Sequence, residues 1–227
     1  MCFSATASFT AAAVLTVTGA ATLTISSSRR LSPAEQLLAA FPLVFGLQQA
    51  AEGVVWLSIG GSATGWISTL AALLFICTAF GFWPVAGPLV GWALEPSGGW
   101  RKPTFAALVL AGLAVAVHLL YGAFTHPITP LADPEWGGHI WYVIEFERWP
   151  FIEFMYFFTA CSALLLSSNR TAFWFGVVLA AGFIFALLAY KLAVLTSVWC
   201  FFAAVGSLVI VAGFLRQPAP NLAAQSR

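Results

Sequence analysis

Residues 171–215 form one continuous apolar run, and its single charged residue is Lys191. As one straight α-helix this run would be ~68 Å long at ~1.5 Å per residue, about twice the ~30 Å hydrocarbon core of a bilayer. The chain must therefore turn back within the run. We predict two antiparallel membrane spans, 171–190 and 196–215, with the polar stretch Tyr190–Ser197 as the turn between them.

The composition of the chain also indicates a membrane protein. Of its 227 residues, 61% are hydrophobic and 7% are charged, whereas soluble domains carry roughly 25% charged residues. This excludes a soluble domain and a disordered chain, and a net charge of +1 excludes a nucleic-acid-binding protein, which needs a basic patch. We expect a multi-pass protein of the inner (plasma) membrane, surrounded by the lipid bilayer and with no nucleic-acid partner.

Charged and turn residues divide the chain into seven apolar segments, each about long enough to span a bilayer. The predicted fold is therefore all-α, a single domain 1–227 of seven transmembrane helices with an outer loop at 125–149. The approximate spans are 5–25, 36–58, 66–94, 104–124, 150–167, 171–190 and 196–215. The second span opens with the capping-box sequence Ser32-Pro33-Ala34-Glu35, which is typical of a helix start.

The basic residues predict the orientation of this bundle. Seven of the nine lie in the odd-numbered connections and the C-terminal tail, and only Arg148 and Lys191 lie on the opposite side. Loops rich in Lys and Arg face the cytoplasm. We therefore expect the N-terminus outside the cell and the C-terminus in the cytoplasm.

The second span carries a polar helix face. At ~100° per residue, that face contains Gln48, Gln49, Glu52 and Trp56. Ionisable groups inside spans are costly and usually face the bundle interior, so Glu52 is a functional candidate. The alternative is a hydrogen-bonded contact in which the glutamines hold two helices together.

Further polar residues map to the same outer half of the membrane. They are His118 and Tyr121 near the end of the fourth span, and Glu153 and Tyr156 near the start of the fifth. We therefore predict one polar chamber, open toward the extracytoplasmic side and lined by these residues and the polar face of the second span. Two structural alternatives to a role in the chamber stay open. One is that His118 is bonded to a backbone carbonyl, and the other is that Glu153 is paired with Arg148 at the membrane interface.

A metal ion is a candidate cofactor of this chamber, because Cys2, Glu52 and His118 are residue types that bind Zn²⁺ or Cu²⁺. The state of Cys2 stays open as a free thiol, a disulfide partner or a metal ligand. The sequence contains no HExxH pair, GxSxG elbow, Walker loop or GxGxxG fingerprint. No motif therefore favours a particular enzymatic reaction.

Two stretches of the chain resemble an uncharacterised family of bacterial multi-pass membrane proteins that begin MCFSA. These are the opening residues MCFSATASF and the run Phe45-x-x-Gln48-Gln49-x-x-Glu52-Gly53-x-x-Trp56. The resemblance implies a seven-helix membrane fold and no known reaction. It also suggests that Cys2, Gln48, Gln49, Glu52 and Trp56 belong to one site.

Three functional hypotheses follow from these features. The leading one is a membrane protein that binds a small ligand or ion in the outward-facing chamber, for transport or sensing. The second is a membrane-embedded, metal-dependent enzyme. The third is a non-catalytic subunit or assembly factor of a larger complex, with other membrane subunits as partners.

Overall fold

The computed structural model describes residues 4–62, 65–133, 138–189 and 195–216. Within these ranges the chain forms seven helices and one two-stranded sheet. The helices are α1 Ala5–Ser28, α2 Pro33–Ile59, α3 Trp66–Leu94, α4 Arg101–Thr125, α5 Ile152–Leu166, α6 Arg170–Ala189 and α7 Leu195–Arg216. Each predicted span overlaps one of them, whereas Cys2, Lys191 and the first part of the predicted turn Tyr190–Ser197 lie outside the described residues.

Five helices, α1 to α4 and α6, are long and apolar enough to cross a membrane. Their outward-facing side chains are apolar too, since Val17, Leu110 and Leu188 are 70%, 68% and 82% exposed. Such a surface is unfavourable in water, so the bundle has the architecture of an integral membrane protein. By length and hydropathy the described structure supports five spans, and α5 is shorter than the roughly 20 residues a span needs. The count of seven spans stays a prediction.

Local hydrogen bonds explain where two of these helices begin. At α2, the Glu35 N–H donates to Ser32 Oγ at 3.3 Å and the Ser32 N–H donates to the Glu35 carboxylate at 3.0 Å. These two bonds confirm the predicted capping box. At α6, Asn169 Oδ1 accepts from the N–H groups of Thr171 and Ala172 at 3.0 and 3.1 Å, which satisfies amides that the first helical turn leaves unpaired.

Helices α1 and α2 form a closely packed antiparallel pair. A Cβ at Gly19 would lie 2.5 Å from Leu43 N, and a Cβ at Gly53 would lie 2.8 Å from the ring of Phe9. Glycine at these positions therefore permits the close approach. As a result the first turns of α1 lie beside the last turns of α2, the end that carries Glu52.

Helix α3 contains a π-helical segment, Cys77–Phe82, immediately before Pro84. The Trp83 N–H donates to Thr78 O, five residues back. In the same pattern the carbonyl of Ala79 would pair with residue 84, but proline has no N–H. This carbonyl therefore needs a donor from elsewhere.

The connection predicted as an outer loop at 125–149 contains a β-hairpin, so the fold is not entirely α-helical. Strand β1, Ile128–Asp133, pairs antiparallel with strand β2, His139–Ile144. In β2 the side chain of Tyr142 is 6% exposed and that of its neighbour Trp141 is 37% exposed. This alternation is typical of a strand with one face against a core, and a six-residue strand gives a much shorter sequence signal than a membrane span.

Candidate functional site

The polar face predicted on the second span lies inside the bundle, on α2. Gln48 and Glu52 are fully buried and Gln49 is 1% exposed, while Trp56 is half-buried. Glu52 lies roughly 10 Å along the helix from its last residue, Ile59, at ~1.5 Å per residue. A carboxyl buried at this depth requires polar neighbours, because burial of an unpaired polar or charged group is costly.

Gln48 forms a contact between helices. Its Oε1 accepts a hydrogen bond from the indole N–H of Trp83 in α3 at 2.7 Å, and this indole stacks on Phe45 with ring centroids 3.8 Å apart. This is the helix–helix contact that the sequence offered as the alternative to ligand binding. Trp83 itself was missed, because nothing in an apolar run marks one indole as an interhelical donor.

Gln49 and Glu52 form a second polar pair, within α2. The Gln49 amide nitrogen donates a hydrogen bond to Glu52 Oε2 at 3.2 Å. The amide oxygen takes no part in this bond. That oxygen, Gln49 Oε1, is buried and has no hydrogen-bond partner among the described residues. An unsatisfied buried acceptor costs about 1–3 kcal/mol, and a ligand that donates a hydrogen bond here would remove this cost.

Two further buried polar atoms close to this end of α2 lack a partner within the described ranges, namely Trp56 Nε1 and Ser8 Oγ. Trp56 lies one turn beyond Glu52 on the same helix. Ser8 precedes Phe9, whose ring packs at the position where Gly53 lacks a side chain. An acceptor, a donor and a hydroxyl thus occur on neighbouring turns of α1 and α2.

Tyr156, in α5, is engaged with α3. Its hydroxyl donates to Ala79 O at 2.5 Å, which supplies the donor that Pro84 cannot provide. Its ring is 8% exposed and packs edge-on against Phe80 and Trp199. The predicted ligand-binding residue Tyr156 therefore has a contact that stabilises the π-helical segment of α3.

Of the other three predicted residues, His118 and Tyr121 lie in α4 and Glu153 lies in the first turn of α5. His118 Nε2 accepts from the Trp149 N–H at 3.1 Å, and the two rings stack with centroids 4.2 Å apart. Tyr121 is 63% exposed. Glu153 forms a partly exposed ion pair with Arg148 at 3.6 Å, the interfacial alternative offered by the sequence. No hydrogen bond or ion pair described here joins these three residues to the polar face of α2.

Side chains able to form a metal centre are not grouped in the described part of the chain. Within it, no cluster of three or more His, Cys, Asp or Glu residues is placed to hold a metal ion. The metal site predicted at Cys2, Glu52 and His118 stays a prediction, because Cys2 lies outside the described residues.

The hairpin adds two residues that the sequence interpretation missed. His139 and Tyr142, both in β2, are 2% and 6% exposed. The Tyr142 ring stacks on Phe75 of α3 with centroids 4.5 Å apart, and both belong to an apolar cluster that includes Val55 and Trp56. The hairpin thus covers the end of α2 that carries the buried carboxyl. The run of β-branched and aromatic residues in the segment HIWYVI was the available signal.

The fold and this site together define a class of protein. It is a helical bundle with the helix lengths and apolar surface of an integral membrane protein, and its second helix carries a buried carboxyl and two buried amides. Residues 1–225 match the family model of DUF6629, a family of unknown function, and the chain belongs to that family. This agrees with the resemblance to an uncharacterised family drawn from the sequence. No curated protein and no solved structure matches the chain.

Proposed function

We propose that the protein is a seven-span protein of the plasma membrane that binds a small polar ligand or ion beside Gln49, Glu52 and Trp56, for transport or sensing. The observation that carries this proposal is Gln49 Oε1, a buried acceptor beside a buried carboxyl with no partner in the described structure. Unsatisfied buried polar atoms are rare in folded proteins and call for an explanation. A ligand that supplies the missing hydrogen bond is such an explanation.

The polar atoms limit the chemistry of this ligand. Gln49 Oε1 and the Glu52 carboxyl accept hydrogen bonds, whereas the Trp56 N–H donates one. A fitting ligand therefore presents an N–H or O–H donor or a positive charge, and an acceptor beside it. A simple anion is disfavoured, because it would meet the carboxylate.

The distribution of charge supports access from the extracytoplasmic side. The connections between α1 and α2, α3 and α4, and α5 and α6 define the basic end of the bundle, with Arg29, Arg30, Arg101, Lys102 and Arg170. The positive-inside rule directs this end toward the cytoplasm. The Gln49–Glu52 pair lies toward the opposite end, beneath the hairpin.

The substitution Glu52→Gln tests the proposal, and Glu153→Gln is its matched control because Glu153 is partly exposed and paired with Arg148. Each protein is purified in detergent, and its thermal unfolding is recorded with sodium, potassium or ammonium chloride and with single amino acids. A ligand present at 100 times its Kd stabilises the folded state by about 2.7 kcal/mol. We expect one of these probes to stabilise the native protein and Glu153→Gln, but not Glu52→Gln.

A second substitution separates binding from folding. Trp56→Phe removes the indole N–H and keeps an aromatic ring, so it should weaken binding of the same probe by about three- to tenfold, the value of one hydrogen bond. If Glu52→Gln unfolds the bundle without any probe, the carboxyl has a structural role and the proposal is wrong. A probe that stabilises every variant equally binds elsewhere and also counts against the site.

A further inference from the structure

A long open groove runs along the surface where α6 packs against α7, at the basic end of the bundle. Its volume is about 770 Å³. At its mouth lie Arg170, the first residue of α6, and Arg216, the last residue of α7, and both side chains are exposed. Its walls continue along both helices past Trp174 to Val178 and Val209. The groove therefore combines a basic mouth with an apolar interior.

The two arginines are available to an external partner. The salt bridge found within the described ranges is Arg148–Glu153, so neither Arg170 nor Arg216 has a described carboxylate partner. The first amides of α6 are already capped by the Asn169 side chain. Binding of an anion at the mouth would therefore depend on the guanidinium groups rather than on the helix terminus.

The length of the groove along the two helices favours a lipid over a free anion. At ~1.5 Å per residue, Trp174 lies roughly 6 Å and Val178 roughly 12 Å along α6 from Arg170, and Val209 lies roughly 10 Å along α7 from Arg216. Indole rings prefer the level of the lipid headgroups and ester bonds, and aliphatic side chains line the hydrocarbon region. A free phosphate would leave this apolar interior empty, whereas an acyl chain would fill it.

We propose that this groove binds one anionic phospholipid. Its phosphate lies between Arg170 and Arg216, its glycerol region lies beside Trp174, and one acyl chain runs along Val178 and Val209. Basic pockets between membrane helices on the cytoplasmic side bind such headgroups. A further contact positions the mouth, since Arg29 at the end of α1 donates to Phe214 O at 2.6 Å and so ties the last turn of α7 to its neighbour.

Native mass spectrometry of the full chain in detergent tests this proposal. The native protein is titrated with phosphatidylglycerol, phosphatidylcholine and glycerol phosphate, which separate an anionic lipid, a zwitterionic lipid and a headgroup without acyl chains. We expect phosphatidylglycerol to bind most tightly. Each of Arg170→Gln and Arg216→Gln should weaken its binding about fivefold and the double variant about 25-fold.

Arg101→Gln is the matched control, because Arg101 is exposed at the same end of the bundle, beside Trp100 and outside the groove. It should leave phosphatidylglycerol binding unchanged. Ala212→Leu keeps both arginines and adds bulk to the groove wall, so it should weaken lipid binding while circular dichroism shows a folded bundle. Equal losses in Arg101→Gln, equal binding of phosphatidylcholine, or glycerol phosphate binding as tightly as the lipid would each overturn the proposal.

Discussion

Replacing Gln48 with leucine is expected to destabilise the bundle by about 1–3 kcal/mol, because the indole N–H of Trp83 would be buried without its acceptor. The N–H···O distance is 2.7 Å, and the two side chains are 0% and 7% exposed, so bulk water has no access to replace the lost partner. The added apolar surface of leucine offsets little of this cost, because the interior of a membrane protein is about as apolar as lipid.

Trp83→Phe removes the donor of the same bond. The stacked contact with Phe45, at 3.8 Å between centroids, is retained in part, while the smaller ring leaves a cavity. Cavity and lost bond together should cost about 2–4 kcal/mol. A double-mutant cycle of the two substitutions isolates the coupling energy of this hydrogen bond. For interhelical hydrogen bonds in membranes this coupling energy averages ~0.6 kcal/mol, with a maximum of ~1.7 kcal/mol. Full burial and a short distance place this coupling near the upper end, at about 1–1.5 kcal/mol.

The assay is reversible unfolding in mixed micelles with increasing dodecyl sulfate, followed by circular dichroism. A control cycle combines Trp83→Phe with Gln36→Leu. Gln36 bonds to Leu31 O within its own helical end and lies ~18 Å along α2 from Gln48. Substitutions this far apart are additive within about 0.3–0.5 kcal/mol. A coupling between Gln48 and Trp83 no larger than that of the control would refute the role of this bond in joining α2 to α3.

Three further outcomes are expected in the same assay. Gly112→Ala should destabilise by about 1–3 kcal/mol, because its Cβ would overlap a backbone carbonyl of α3. Tyr156→Phe should lower the stability of the bundle by about 1–2 kcal/mol, since it removes the donor to a carbonyl in the π-helical segment. Tyr121 is 63% exposed, so Tyr121→Phe should change stability by less than about 0.5 kcal/mol. Ser8→Ala should stabilise the ligand-free protein by about 1 kcal/mol, because its buried hydroxyl has no partner in the described structure. Ser26→Ala should not stabilise the protein, because it removes a hydrogen bond of 2.9 Å. An increase in stability in both variants would contradict the argument.

The features of α2 that could be predicted from the sequence are those set by local rules. The capping residues Ser32 and Glu35 are three positions apart and bond within one turn. The polar face follows from the helical repeat, which fixes Gln49 and Glu52 on one side whatever packs against them. The partners of that face come from other helices, so neither Trp83 nor Ser8 could be chosen from the sequence.

His118 and Glu153 show a second limit of the sequence argument. They were grouped with Glu52 because all three lie at similar depth along their helices. Depth along a helix does not determine which way that helix is rotated in the bundle, and packing alone decides this. In the described structure His118 bonds to Trp149 and Glu153 pairs with Arg148, so each has a partner of its own.

Proline gave a signal that was interpretable only in part. Pro84 lies inside α3, and the helix changes to π-helical geometry just before it, as proline commonly disturbs a helix. The consequence for another helix could not be predicted, because it depends on which side chain reaches the unpaired carbonyl of Ala79. In the folded chain that side chain is Tyr156.

Gln48 and Gln49 provide an internal comparison that bears on function. They are neighbours on one helix, equally buried, and chemically identical, so differences in burial or residue type do not separate them. The Gln48 oxygen has a donor at 2.7 Å, as expected of a glutamine whose role is to hold helices together. The Gln49 oxygen has none among the described residues, although its amide nitrogen is fixed on Glu52. Helix packing therefore accounts for the first glutamine and leaves the second unexplained, and a bound donor is the simplest way to satisfy it.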